Sequence, residues 1–281
     1  MIVDLLPRGG NEATTINPPA GVFHISTHGS DWLWAAFSVI AFSFVLLFGL
    51  SFTRPRGKRA FHHIGLVILI TASIAYFTMA SDLGYAPVPT EFRGDHQTRQ
   101  IWYTRYIQWF LTLPLVLIEL LLTTGFTLSD IMMTVAAAWV LVLAGLIGSV
   151  VQSTYKWGYF SFGCVALFSI WYIILWEAPR RPFPQEELRS GYYLCAAYVS
   201  FMLITYPICW ACSEGANVIS PTSEMVWYGI LDIITGPFFL FFFLFVNRKA
   251  EYQVFDLQSG KYTPHEEPQP VSAKAAEAGQ A

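Results

Sequence analysis

The sequence predicts an all-α membrane protein, a bundle of seven transmembrane helices. Its 281 residues are 54% apolar and only 12% charged, where a soluble domain carries about 25% charged residues. Mean hydropathy is +0.47. Seven apolar runs each approach the roughly 20 residues that a helix needs to cross the hydrocarbon core. This balance excludes a disordered chain and sets an ordinary soluble enzyme aside. A β-barrel fails on period, because the runs are continuously apolar and do not alternate over ten residues.

The spans read as about 31–52, 64–85, 100–122, 131–151, 157–178, 191–212 and 224–246. In lipid they must be helical, since unpaired backbone groups there cost several kcal/mol each. The second and third are the least apolar, carrying Asp82 and Arg105. Residues 1–30 contain Pro7, Arg8, Gly9, Gly10 and Glu12, which do not suit the apolar core of a signal peptide. They read as an exposed arm. Residues 31–250 form the seven-helix domain. Residues 251–281, with Glu266, Glu267, Pro268 and Pro270, read as a disordered tail. Within the tail, Tyr252–Phe255 is strand-like and suited to pack near the membrane. Cys164, Cys195, Cys209 and Cys212 fall inside apolar segments and read as small packed side chains. They form neither a disulfide framework nor a zinc spacing.

Orientation follows from the loops. The 1–2 loop holds Arg54, Arg56, Lys58 and Arg59, the 5–6 loop Arg180, Arg181 and Arg189, and the tail Arg248, Lys249, Lys261 and Lys274. The opposite side holds Arg8, Arg93, Arg99 and Lys156. The positive-inside rule puts the richer side, with the C-terminus, in the cytoplasm. The partner this implies is a lipid bilayer, with a homo-oligomer and a small ligand left open. The formal net charge of −3 and the absence of a basic face exclude a broad nucleic-acid footprint.

Ionisable groups inside a span are functional candidates, because burying them is costly. In the third span Arg105, Gln108/Trp109, Thr112 and Glu119 fall on one helical face, which must look into the bundle. Arg105 could alternatively snorkel to the interface. In the seventh span Asp232 lies near mid-membrane. An Arg105–Asp232 pair, bridged by water if needed, is the simplest arrangement. A protonated, neutral Asp232 is the alternative. Glu119 reads equally as a proton-holding acid or an interfacial carboxylate. Asp82 and Glu177 read as wet helix ends. Tyr76, Trp109, Tyr159, Tyr206 and Trp210 either line a central pocket or belong to the interfacial belt. Pro207 and Gly236-Pro237 are placed to open or kink the helices beside them. The six histidines fall outside the spans with no zinc spacing.

These motifs resemble the microbial rhodopsins. The third-span pattern Arg105-Tyr106-x-Gln108-Trp109-x-x-Thr112-x-Pro114, with Glu119, is similar to their third helix. Tyr206-Pro207-x-x-Trp210 and Ser213-Glu214-Gly215 resemble their sixth helix and its following loop, and Tyr76-x-x-Met79 their second-helix motif. Glu224 and Asp232 match acidic positions near and within the seventh helix. Residues 76–81 and Lys156–Tyr159 look like the fungal branch. The resemblance covers roughly residues 25–250. It implies a seven-helix bundle around retinal, held as a Schiff base by a lysine one turn after the seventh-helix Asp.

Here that position is Gly236, and none of the five lysines (58, 156, 249, 261 and 274) lies within a predicted span. The resemblance places the family's proton-accepting carboxylate at Gln108, which has no proton to exchange. It places the large ring above retinal at Leu203. The expectation is therefore an opsin-related plasma-membrane protein without covalent retinal, with no catalytic residues, metal or required cofactor. The fungal relatives this pattern resembles suggest a stress-related or chaperone-like role. Two alternatives stay open. One is a proton, ion or weak-acid transporter whose route is the polar column Glu119, Thr112, Gln108, Asp232 and Arg105, with Glu119, Glu214 and Glu224 as candidate proton carriers. The other is a receptor for retinal or another apolar ligand held non-covalently around Gly236.

Overall fold

The computed structural model describes residues 11–55, 57–91 and 97–248. Seven long apolar helices form the body: α1 Thr27–Ser51, α2 Ala60–Ala80, α3 Tyr103–Leu121, α4 Leu128–Val150, α5 Lys156–Arg180, α6 Glu186–Gly215 and α7 Pro221–Val246. Each packs on its sequence neighbours, and α7 returns against α1. The bundle is a closed ring. At 1.5 Å per residue, 19 to 30 residues span about 30 Å or more. The outward faces carry Phe42, Phe48, Ile74, Phe162 and Phe201, as lipid contact requires.

The helix ends are set by local chemistry. Ser26, Thr127 and Ser220 cap α1, α4 and α7 by accepting backbone N–H groups, which the first turn of a helix otherwise leaves unpaired. Pro221 opens α7, where its missing N–H costs nothing. Wider π turns interrupt α5 at Tyr172–Glu177, α6 at Ala211–Gly215 and α7 at Ile234–Phe238. The last contains Gly236-Pro237, so the expected loosening falls there. The Tyr198 hydroxyl donates to the Ile234 carbonyl at 2.9 Å. In α6 the π turn follows Pro207 by one turn.

Several boundaries differ from the sequence reading. The α1 helix starts at Thr27 and α2 at Ala60, so His62 and His63 belong to α2's first turn. Lys156 opens α5 and is 2% exposed. An antiparallel hairpin, β1 Ala86–Pro89 and β2 Thr98–Ile101, connects α2 to α3. The segment before α1 docks against it: Phe23 bridges to Arg99, and the Ile25 N–H donates to Gln100 Oε1 at 2.9 Å. The arm is thus folded over this end of the bundle from Asn11 onward. The strand-like Tyr252–Phe255 and the tail lie outside the described residues.

Gly84, at φ +77°, starts the hairpin connection. Any Cβ there would collide with Thr104, whose N–H and hydroxyl both donate to the Gly84 carbonyl. Asp82 is not the wet helix end expected. It is 1% exposed and accepts from Gln100 Nε2 at 2.5 Å, because the hairpin covers it. Burial pushes its carboxyl above the ordinary carboxylate range, opposed by the Gln100 hydrogen bond. The folded state therefore binds more protons than the unfolded one once pH exceeds about 4, and stability falls as pH rises through the folded value. Asp82→Asn removes that cost. The gap in melting temperature between variant and wild type is expected to widen from pH 4 toward neutrality. A pH-independent gap would contradict this account.

Candidate functional site

The α3, α5 and α7 helices all start from the hairpin end, so residues at equal distances from their first turns lie at equal depth. Arg105 is the third residue of α3 and Glu224 the fourth of α7. They meet: Arg105 Nη2 lies 2.8 Å from Glu224 Oε1. Arg99 of β2 closes on the other oxygen, with Nη2 2.6 Å from Glu224 Oε2. Arg99 Nη1 also donates to the Ile219 carbonyl at 2.8 Å. All three side chains are nearly inaccessible to solvent. A lone buried carboxylate would be costly, and two guanidinium partners offset that cost.

The expected Arg105–Asp232 pair does not form. Asp232 sits eight residues beyond Glu224, about 12 Å deeper along the helix. The Arg105 guanidinium instead stacks over the Tyr228 ring, 4.1 Å from its centroid. Asp232 is held by four neutral donors. Its Oδ2 accepts from the Tyr76 hydroxyl at 2.8 Å and Gln108 Nε2 at 3.1 Å. Its Oδ1 accepts from Trp109 Nε1 at 3.0 Å and the Tyr206 hydroxyl at 2.8 Å. A carboxylate offers about four lone-pair sites, and all are used.

A third cluster lies beside the first. The Tyr106 hydroxyl donates to Glu214 Oε2 at 2.5 Å. Lys156 Nζ reaches the carbonyls of Glu214 and Gly215 at 3.3 and 3.4 Å, and Glu91 at 3.7 Å. It therefore closes the open end of the α6 π turn. Glu119 stands apart, on the half of α3 away from the hairpin. It is fully buried, and neither oxygen has a hydrogen-bond partner among the described residues. It is not a solvent-exposed carboxylate at the helix end.

Beside Asp232 lies a cavity of about 130 Å³ bordered by every helix except α1. A single water needs only about 10–15 Å³. Of the residues singled out from sequence, Gln108, Trp109, Thr112, Leu203, Tyr206, Trp210, Asp232 and Gly236 line it. Tyr76 touches it only through Asp232. Tyr159 does not line it. The next residue, Phe160, does, stacked on Trp210 at 5.3 Å. Among the described residues no lysine borders the cavity, and a Cβ built on Gly236 would meet nothing within 4 Å.

Sequence reasoning missed Arg99 and the hairpin that carries it. The usable signal was depth: an acidic residue in the first turn of α7 needs a cation at the same level.

Residues 26–250 match the model of the bacteriorhodopsin-like protein family. The chain belongs to this family of seven-helix membrane proteins. It is 59% identical over 268 residues to Protein FDD123 of Trametes versicolor, covering 95% of this chain and 94% of that one. It is 36% identical to the 30 kDa heat shock protein of Saccharomyces cerevisiae, covering 79% and 74%. Among solved structures it resembles the light-driven proton pump rhodopsin of Coccomyxa subellipsoidea, with a TM-score of 0.75 and 31% identity, covering 79% of this chain and 98% of that one.

The ion-pair assignment is testable by double-mutant cycles on thermal unfolding of the purified protein. Glu224→Gln leaves two buried guanidinium groups short of a counter-charge and is expected to cost about 3–5 kcal/mol. Arg105→Gln combined with Glu224→Gln should couple by more than about 1 kcal/mol. Arg105→Gln combined with Asp232→Asn should couple less. The reverse order would restore the Arg105–Asp232 pair.

Proposed function

We propose that this chain is a non-photochemical, opsin-related membrane protein that cannot link retinal covalently. The observation that carries this reading is Gly236 on the cavity wall with no lysine around it among the described residues. Covalent attachment of retinal needs an amine that can lose its proton, and the site offers none. The retinal-linked state does not fit these residues, although the cavity's apolar and aromatic wall suits an apolar guest.

The open cavity favours one further reading over a purely structural scaffold: the protein holds an apolar ligand non-covalently. Proton transport has weaker support. Asp232 is enclosed by four donors, and Glu119 has no relay partner among the described residues. A stress-related role draws its support from the similarity to the 30 kDa heat shock protein. The excess of Lys and Arg on the side of the 1–2 and 5–6 loops supports a cytoplasmic C-terminus and an extracellular hairpin. The plasma membrane is the proposed site.

Absorption spectroscopy tests the central point. After incubation with all-trans-retinal, wild-type protein is expected to show no visible band that survives acid denaturation. A surviving band would overturn the reading. Gly236→Lys, whose side chain starts in open space, is expected to gain such a band. For the stress role, protein abundance should rise several-fold after heat or weak-acid shock, and an unchanged level would remove that element.

A further inference from the structure

The loop between α1 and α2 gathers positive charge that the neighbouring chain does not balance. No acidic residue occurs between Asp31 and Asp82, while Arg54, Arg56, Lys58, Arg59, His62 and His63 fall together. We propose that this loop binds a membrane lipid whose headgroup ends in a phosphate monoester. Arg54, Lys58 and Arg59 hold the phosphate, and the aromatic edge of α1 takes the acyl chain.

The loop has a defined shape. Gly57, at φ +89°, allows a turn in which the Lys58 N–H donates to the Pro55 carbonyl at 3.1 Å. Arg59 Nε donates to the Arg54 carbonyl at 2.8 Å and ties the two ends of the turn. Arg54, Arg59 and His63 lie within electrostatic range of the His62 ring. That ring is 7% exposed, and its Nδ1 has no hydrogen-bond partner among the described residues. Among the described residues no carboxylate pairs with any of these groups. The other basic loop on this side differs: Arg181 pairs with Glu177 at 3.0 Å and Asp130 at 3.7 Å, and Arg189 with Glu186 at 3.4 Å. The positive-inside rule accounts for the number of cations on one side. It does not require them to converge without counter-charge, where they repel one another. Arg59 also holds the N-cap position of α2 with no side-chain hydrogen bond, and the positive end of a helix adds to the attraction for an anion.

A second observation points to lipid. The Arg59 guanidinium lies over the Phe52 ring, 5.4 Å from its centroid. Phe52 and Phe48 are exposed, and their rings continue along α1, Phe52 to Phe48 at 5.0 Å and Phe48 to Phe44 at 6.3 Å. The aromatic stripe therefore leads along the outer face of the bundle to the cations, and a molecule with an apolar chain and an anionic head meets both. A phosphate monoester carries up to about two negative charges and three acceptor oxygens. It matches several converging cations better than the single charge of a phosphodiester. The loop lies on the side read above as cytoplasmic, where anionic lipids concentrate and clusters of Lys and Arg beside a span recognise them.

The test is microscale thermophoresis on the purified full-length chain in neutral detergent micelles. The probes are dioctanoyl phosphatidylinositol monophosphate, dioctanoyl phosphatidylinositol, dioctanoyl phosphatidylserine and water-soluble inositol bisphosphate. The monophosphate lipid is expected to bind about tenfold more tightly than the other three, the scale of one charge-assisted hydrogen bond. Arg54→Gln combined with Lys58→Gln should weaken it about thirtyfold, the scale of two cations near an anionic surface. Arg180→Gln combined with Arg181→Gln should leave it unchanged. Phe48→Ala combined with Phe52→Ala should weaken the lipid and not the soluble headgroup. Arg54 and Lys58 lie outside the helices, and should their variant not fold, the wild-type probe series still decides. Equal binding of phosphatidylserine, or an equal loss in the Arg180 and Arg181 variant, would overturn the site in favour of general surface charge. Equal binding of inositol bisphosphate would overturn the lipid assignment and leave a site for soluble phosphates. Binding of none of the four would overturn the proposal outright, and it would leave the orientation of the bundle untouched.

Discussion

Asp232 presents the bundle with its hardest problem, an acidic side chain near the middle of a membrane span with no cation in hydrogen-bond contact among the described residues. A carboxylate removed from water loses several kcal/mol of hydration even after the protein relaxes. Here that loss is met by hydroxyl, amide and indole donors from three other helices. Tyr76 comes from α2, Gln108 and Trp109 from α3, and Tyr206 from α6. Each bond to a charged acceptor is worth more than a neutral one, and together they fix α7 against the rest of the ring. The seventh helix needs this fixing, because its π turn at Ile234–Phe238 interrupts its regular hydrogen bonding directly afterward.

Because Asp232 is satisfied by neutral groups, Arg105 is left to the level above. There it joins Arg99 in enclosing Glu224, while Tyr106 and Lys156 hold Glu214 and its π turn. Arg99 enters from the hairpin, not from a helix. The loop structure and the buried charge therefore depend on each other: the hairpin supplies a cation, and the ion pair holds the hairpin across the bundle end. The two polar layers follow one another along α7, with Tyr228 midway between Glu224 and Asp232 in that helix and its ring against the Arg105 guanidinium.

The helices were legible because lipid demands one pattern, a long apolar run. Boundaries slipped by about a turn at His62 and at the start of α1, where polar caps extend helices beyond the apolar stretch. The polar face of α3 was legible from the spacing of Arg105, Gln108, Thr112 and Glu119, but its partners were not. Matching Arg105 to Asp232 by counting cations inside spans ignored depth, and Arg99 was outside the count because residues 86–99 read as a loop. Asp82 was misjudged for the same reason, since the hairpin that buries it leaves no hydrophobic signature of its own. Tyr159 and Phe160 show a finer limit. Adjacent residues on a helix differ by about 100°, and only the register of α5 against α6 decides which ring meets Trp210.

The two departures at the centre, Gly236 and Gln108, are physically linked. An amine at position 236 would bring a positive charge beside Asp232, and a second carboxylate at position 108 would help to balance it. With no amine, a carboxylate at 108 would stand next to Asp232 as an uncompensated like charge in a low-dielectric interior, which is strongly unfavourable. A neutral amide keeps the hydrogen bond to Asp232 and removes the repulsion.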